Sequence, residues 1–286
     1  MPSTVIGAHK WEFSMGKRSR LLAGLFALFV LSARGTAQSV HTGGASIHYE
    51  VQGAGSPLLL IHGFGSCGKQ TWAPYLDELK AHYRGIVVDL RGHGASTNPA
   101  GTFTHRQAAR DLFALLDSLG IQRFRAIGVS SGAMTLLHMA TQQPLRVDAM
   151  ILVSGTTYFP AEARRIMRRF ATPDSIPAPV KQLYAECATR GATQVGELLA
   201  QFSAFKDSYD DMNFTPPLLG TIQARTLVVH GDRDPFFPVA IPVELYRSIP
   251  RAALWVVPTT GHEFPRSKTA FLDAALNFLQ PPSQRP

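Results

Sequence analysis

Cysteine is nearly absent: the 286 residues hold two, Cys67 and Cys187. No C-x-x-C or H-E-x-x-H spacing occurs, so no familiar metal-ligand motif is present. Charged residues are also sparse, at 17% against 45% hydrophobic ones. That is ordinary globular composition, and it confines disorder to the two ends. The net charge is +8, but residues 1–37 carry half of it, through Lys10, Lys17, Arg18, Arg20 and Arg34 against Glu12. The remainder is only mildly basic. It has no stripe of Lys and Arg interleaved with aromatics, so nucleic acid is not an expected partner. No internal repeat is visible. The one long apolar run, Leu21–Leu31, is short of the ~20 residues a membrane span needs, so no stable membrane anchor is expected.

That run reads instead as the centre of an export signal. Lys17-Arg18-Ser19-Arg20 precedes it, and Gly35-Thr36-Ala37 offers small residues for cleavage before Gln38. Met15 is the more usual start for such a segment. No cysteine stands close behind the run, so a lipoprotein anchor is not expected. Residues 1–37 are therefore expected to be a signal peptide, and the mature protein periplasmic or secreted. In such a compartment Cys67 and Cys187 can pair or stay as thiols, and the sequence leaves that open.

After residue 37, short apolar strands alternate with helix-length segments. Ala45–Gln52, Pro57–Ile61, Gly85–Leu90, Arg123–Val129, Ala149–Ser154, Thr226–His230 and Ala253–Val257 read as strands. Thr71–Tyr83, His105–Leu119, Ser131–Gln142, Ala240–Ser248 and Thr269–Leu279 read as helices. Fully apolar strands separated by helices predict a mostly parallel, doubly wound α/β sheet covered on both faces. Functional residues of such sheets gather at the carboxyl ends of the strands. One stretch, 158–223, holds only helix-like segments and Pro-rich turns. It predicts a helical lid inserted between a first core segment, 38–157, and a second, 224–286.

The strongest motif is Gly128-Val129-Ser130-Ser131-Gly132, which fits G-x-S-x-G between a strand and a helix. The serine of such a turn is exposed at the sheet edge, and the glycines keep side chains out of the crossing chain. A serine hydroxyl needs a base to become nucleophilic. His262, in the loop after the last strand, is the candidate. A base needs an anion to fix its tautomer, and His230-Gly231-Asp232-Arg233-Asp234-Pro235 offers two. Asp234 is chosen, because Pro235 holds it extended, while Asp232 reads as a turn or ion-pair residue. An oxyanion hole requires two preset donors. They are assigned to the backbone N–H of Ser131, at a helix start, and of Phe64, in the glycine-rich loop His62-Gly63-Phe64-Gly65. His62 and His93 read as structural. Met134, Tyr158 and Phe236 are expected in a substrate pocket, with Phe159, Phe202 and Phe237 as further aromatics near it. Arg164, Arg165, Arg168 and Arg169 read as a solvated basic face.

Taken together, these blocks resemble the α/β-hydrolase superfamily, in the branch of small carboxylesterases, lactonases and C–C bond hydrolases. Pro57–Gly65, Val88–Ser96, the serine turn, Leu227–Pro235 and Gly261-His262 match in the family's order. The resemblance implies an α/β-hydrolase fold and a Ser130–Asp234–His262 triad with no cofactor and no metal. It implies hydrolysis of a small-molecule carboxylic ester, with lactone or C–C cleavage as the alternative. A non-catalytic ligand-binding protein on the same fold is the reading of another class. Ala133 departs from the family's common second glycine.

Overall fold

The computed structural model describes residues 37–171, 176–262 and 264–281. The expected signal segment lies outside them, apart from Ala37, which opens the first strand. Eight strands form one sheet: β1 Ala37–Thr42, β2 Ala45–Gln52, β3 Pro57–Ile61, β4 Arg84–Val88, β5 Phe124–Val129, β6 Val147–Val153, β7 Arg225–Gly231 and β8 Ala252–Val257. Their order is β1-β2-β4-β3-β5-β6-β7-β8. β1 pairs antiparallel with β2, and β2 with β4. Every later pairing is parallel. β1 was missed because its residues adjoin the leader and lack an apolar run.

The uniform apolarity of the central strands follows from burial on both faces. In β3, Leu59 and Ile61 join one core, while Leu58 and Leu60 join the other. The first core is closed by α2 His105–Ser118, α3 Ser131–Gln142 and α8 Ala240–Ser248. The second is closed by α1 Gly68–His82 and α9 Lys268–Leu279, through Trp72, Leu79, Phe271 and Ala275. Thr104 caps α2 by accepting from Gln107 N–H, and Ser267 caps α9 through Ala270 N–H. No described helix is long and apolar enough to cross a membrane.

Between β6 and β7 the chain runs through α4 Ala161–Arg169, α5 Ala178–Cys187, α6 Ala192–Ala204, a 3₁₀ turn Phe205–Asp207 and a short α7 Pro216–Leu219. This segment is fastened at several points. A disulfide joins Cys67, ahead of α1, to Cys187, the last residue of α5, with Cα atoms 5.7 Å apart. Thr189 Oγ1 donates to Gly94 O, and Gln194 Nε2 donates to Gly92 O and Gly94 O. Arg164 corrects the expectation of a solvated basic face, because only 8% of it is exposed. Its guanidinium donates to the carbonyls of Phe159, Phe205, Lys206 and Ser208 and lies 3.9 Å from the Tyr209 ring centre. This buried cation has no carboxylate partner among the described residues, and the carbonyl dipoles around it stabilise its charge.

Candidate active site

Ser130 follows β5 directly and precedes α3, with φ +51° and ψ −113°. Few non-glycine residues adopt this region, and the turn is held by its packing. A Cβ at Gly128 would run into Gly132, and a Cβ at Gly132 would run into the carbonyls of Ile61 and His62. The two glycines are therefore required for the turn to fit between β3 and β5.

Three loops at the carboxyl edge of the sheet bring the predicted residues together. His262 Nε2 lies 2.9 Å from Ser130 Oγ, and His262 Nδ1 lies 2.7 Å from Asp234 Oδ2. An ionised carboxylate only accepts, so Nδ1 carries the proton and Nε2 presents a lone pair to the serine hydroxyl. Asp234 Oδ1 accepts from the N–H groups of Phe236 and Phe237, at 2.8 and 3.1 Å. Burial pushes the Asp234 carboxyl up, but the His262 hydrogen bond and charge, with the Phe236 N–H, outweigh it and hold it below the usual range. The Phe236 and Phe237 rings flank His262, with centroids at 4.8 and 5.2 Å.

Asp232 has the turn role. Its Oδ1 accepts from Thr260 N–H at 3.3 Å, while Asp232 N–H donates to Val257 O and Arg233 N–H to Thr260 O. These bonds clamp the Asp234 loop to the His262 loop. Gly231 lets them meet, since a Cβ there would strike the carbonyls of Thr260 and Gly261.

The loop after β3 closes the other side. Gly63 lies beside Ser130: a Cβ on it would be in ordinary van der Waals contact with Ser130 Cβ, at 3.5 Å. The N–H groups of Phe64 and Ser131 have no hydrogen-bond acceptor among the described residues. His62 and His93 lie beneath this loop. His62 Nε2 accepts from Leu90 N–H at 2.9 Å, and Nδ1 donates to Gly63 O at 2.7 Å. Burial pushes His93 down to about 3. Its Nδ1 lies 3.1 Å from Arg91 O, and its ring meets Phe64 edge-on at 4.5 Å.

Ser130, Ser131 and His262 open into a cavity of about 230 Å³. Phe64, Met134, Phe159, Phe202, Phe236 and Phe237 wall it from the sheet side and from α6, while Met167, Leu183 and Tyr184 come from α4 and α5. Met134 and Phe236 stand where the sequence puts them. Tyr158 does not: its side chain is 45% exposed, and its backbone bridges to Asn213. Successive residues of this extended stretch point in opposite directions, so Phe159 turns inward in its place.

Sequence reasoning also misses a buried array behind the Ser130 turn. Ser131 Oγ lies 3.1 Å from His105 Nε2, and His105 Nδ1 lies 2.7 Å from Asp211 Oδ2. Asp211 also accepts from the N–H groups of His105 and Arg106, at 2.8 and 3.0 Å. Burial raises the Asp211 carboxyl, but these bonds overcome it and take it to about 2. The pairing of His105 with Asp211, 106 positions apart, left no local signal.

A family model described as alpha/beta hydrolase fold matches residues 56–174. The chain is 30% identical over 234 residues to a 2-hydroxymuconate semialdehyde hydrolase of Pseudomonas sp. (strain CF600), covering 73% of this chain and 81% of that one. It is 26% identical over 237 residues to the serine hydrolase BPHL of Mus musculus, covering 79% and 80%. Among solved structures, a hydrolase from Pseudomonas aeruginosa PA01 superposes with a TM-score of 0.70 at 25% identity, over 87% of this chain and all of that one. With its mostly parallel sheet and its strand–serine–helix turn, the chain is a hydrolase and belongs to the α/β-hydrolase superfamily.

Proposed function

We propose that the protein is a serine hydrolase that cleaves carboxylic esters through an acyl-enzyme on Ser130. The observation that carries this reading is the unbroken hydrogen-bond chain Ser130–His262–Asp234 opening into an apolar cavity. Ser130 Oγ attacks the acyl carbon while His262 Nε2 takes its proton. The developing oxyanion is met by the N–H groups of Phe64 and Ser131, two donors with no competing acceptor among the described residues. Collapse expels the alcohol, which receives the proton from His262. Water, deprotonated by the same imidazole, then attacks the acyl-enzyme and frees the acid. Asp234 stays ionised throughout and stabilises the imidazolium.

The helices α4–α6 act as a lid in this reading, since they supply one wall of the cavity. The disulfide supports the expected export to an oxidising compartment, periplasmic or extracellular. The similarity to a 2-hydroxymuconate semialdehyde hydrolase favours C–C cleavage as a second reading. The cavity wall favours the ester. It carries no Lys or Arg among the described residues, so the carboxylate of a muconate would stay unpaired there.

Hydrolysis of p-nitrophenyl esters from acetate to palmitate by the mature protein and by Ser130→Ala tests the proposal. Turnover of the shorter esters that vanishes in the variant is expected. A folded protein that cleaves none of them refutes the ester reading.

A further inference from the structure

Tyr184 is a polar residue in a place that does not need one. It lies on α5, is 4% exposed, and lines the cavity that holds Ser130 and His262. Its neighbours in the packed cluster are Ile176, Leu198 and Leu199, with Phe64 and Val180 at the edge. The hydroxyl has no hydrogen-bond partner among the described residues. Burial raises its ionisation far above the ordinary phenol value, so it remains a donor at any working pH.

Its position relative to the proposed oxyanion loop is fixed by Gly65. That residue has φ +81°, and a Cβ on it would collide with the hydroxyl end of the Tyr184 ring. The ring tip therefore rests directly on the residue after Phe64. Unlike the enclosed, unpaired polar atoms of Trp72, Ser154 and Thr157, the hydroxyl oxygen is not sealed off, so a molecule in the cavity that Tyr184 lines can reach it. Phenylalanine would fill the same volume and pack equally well against Leu198 and Leu199. A hydroxyl kept in the cavity wall, with no protein partner among the described residues, is accounted for if its partner arrives with the substrate.

We propose that the Tyr184 hydroxyl recognises substrate by donating a hydrogen bond to an acceptor oxygen on the acyl chain. The protein then prefers esters whose acyl group bears an ether, keto or hydroxyl oxygen over plain alkyl esters of equal length. This inference rests on the ester reading above. It makes Tyr184 a specificity residue of the same cavity, with no part in the proton transfers.

The test compares wild type with Tyr184→Phe on p-nitrophenyl hexanoate and on three analogues in which an ether oxygen replaces the third, fourth or fifth acyl carbon. For each analogue, the readout is its kcat/KM divided by that of the hexanoate. In Tyr184→Phe this ratio is expected to fall by about fivefold or more for at least one analogue, the worth of a single neutral hydrogen bond. A smaller fall for all three overturns the proposal, as does an equal loss on every ester, which would mark a general effect on folding or catalysis. The melting temperature of Tyr184→Phe is expected to match that of wild type. If wild type hydrolyses none of the four esters, the ester reading fails by itself. Calorimetric binding of the same esters to Ser130→Ala, with and without Tyr184→Phe, then decides. An affinity advantage of an ether analogue over the hexanoate that Tyr184→Phe abolishes supports the inference, and equal affinities overturn it.

Discussion

Removing the disulfide by a Cys67→Ala, Cys187→Ala double substitution perturbs both the stability and the cavity. The two residues are 120 positions apart, so the bond closes a long loop in the unfolded chain. Chain-entropy reasoning puts the stabilisation from such a loop near ~5 kcal/mol, and removal of native disulfides costs about 2–5 kcal/mol in practice. Cys67 follows the Phe64 loop at the entry to α1, and Cys187 ends the helix that carries Tyr184. Release of the bond leaves α5 held at its end by the Gln70–Glu186 and Thr189–Gly94 hydrogen bonds. The inserted helices are therefore expected to stay docked, with a raised KM and a smaller change in kcat. Urea denaturation of wild type and variant, followed by tryptophan fluorescence, measures the stability term. A loss of 2 kcal/mol or more, reproduced by a thiol reductant on wild type, is expected. A loss below about 1 kcal/mol would refute the reasoning and mean that packing alone holds α5 in place.

Acid should destabilise the fold from about pH 6.5 downward, above the range where most carboxylates begin to titrate. Burial depresses His93 to about 3 and His138 to about 4 from an ordinary 6.5. As pH falls below 6.5 the unfolded chain therefore binds protons that the folded chain refuses, and stability drops with pH. By pH 4 the two together remove about 6 kcal/mol. A urea midpoint that stays flat from pH 6.5 to 4 would contradict this. Gly132→Ala is expected to abolish activity and lower the melting temperature, because its Cβ meets the Ile61 and His62 carbonyls; a variant with wild-type kinetics would contradict the close approach. Asp211→Asn replaces an acceptor that serves three donors of His105 and Arg106. It should cost about 2 kcal/mol or more in urea and lower kcat through Ser131, whereas a purely structural role would leave kcat unchanged in the folded variant.

Much of the sheet was legible because its parallel strands are short, wholly apolar runs with helices between them. Ser130, His262 and Asp234 could be singled out because each sits in a compact motif just after such a strand. What was not legible depends on how the inserted segment lies. Alternation in an extended stretch decides that Phe159 rather than Tyr158 enters the cavity, and the sequence does not say where that alternation starts. Arg164 looks like its neighbours on a basic helix, and only the turn after α6 makes it a buried clasp. The Ser131–His105–Asp211 array and the Cys67–Cys187 bond join positions more than 100 residues apart in two of their links. Tyr184 carries no motif at all, and its interest lies in the missing partner.

The central claim is that Ser130 is the nucleophile, activated by His262. Treatment with a fluorophosphonate, followed by peptide mapping in a mass spectrometer, tests it without knowledge of the substrate. One label per chain on Ser130, lost in Ser130→Ala and slowed by at least a hundredfold in His262→Ala, is the predicted result. A label on Ser131 or elsewhere, or a folded protein that takes none, would contradict the account.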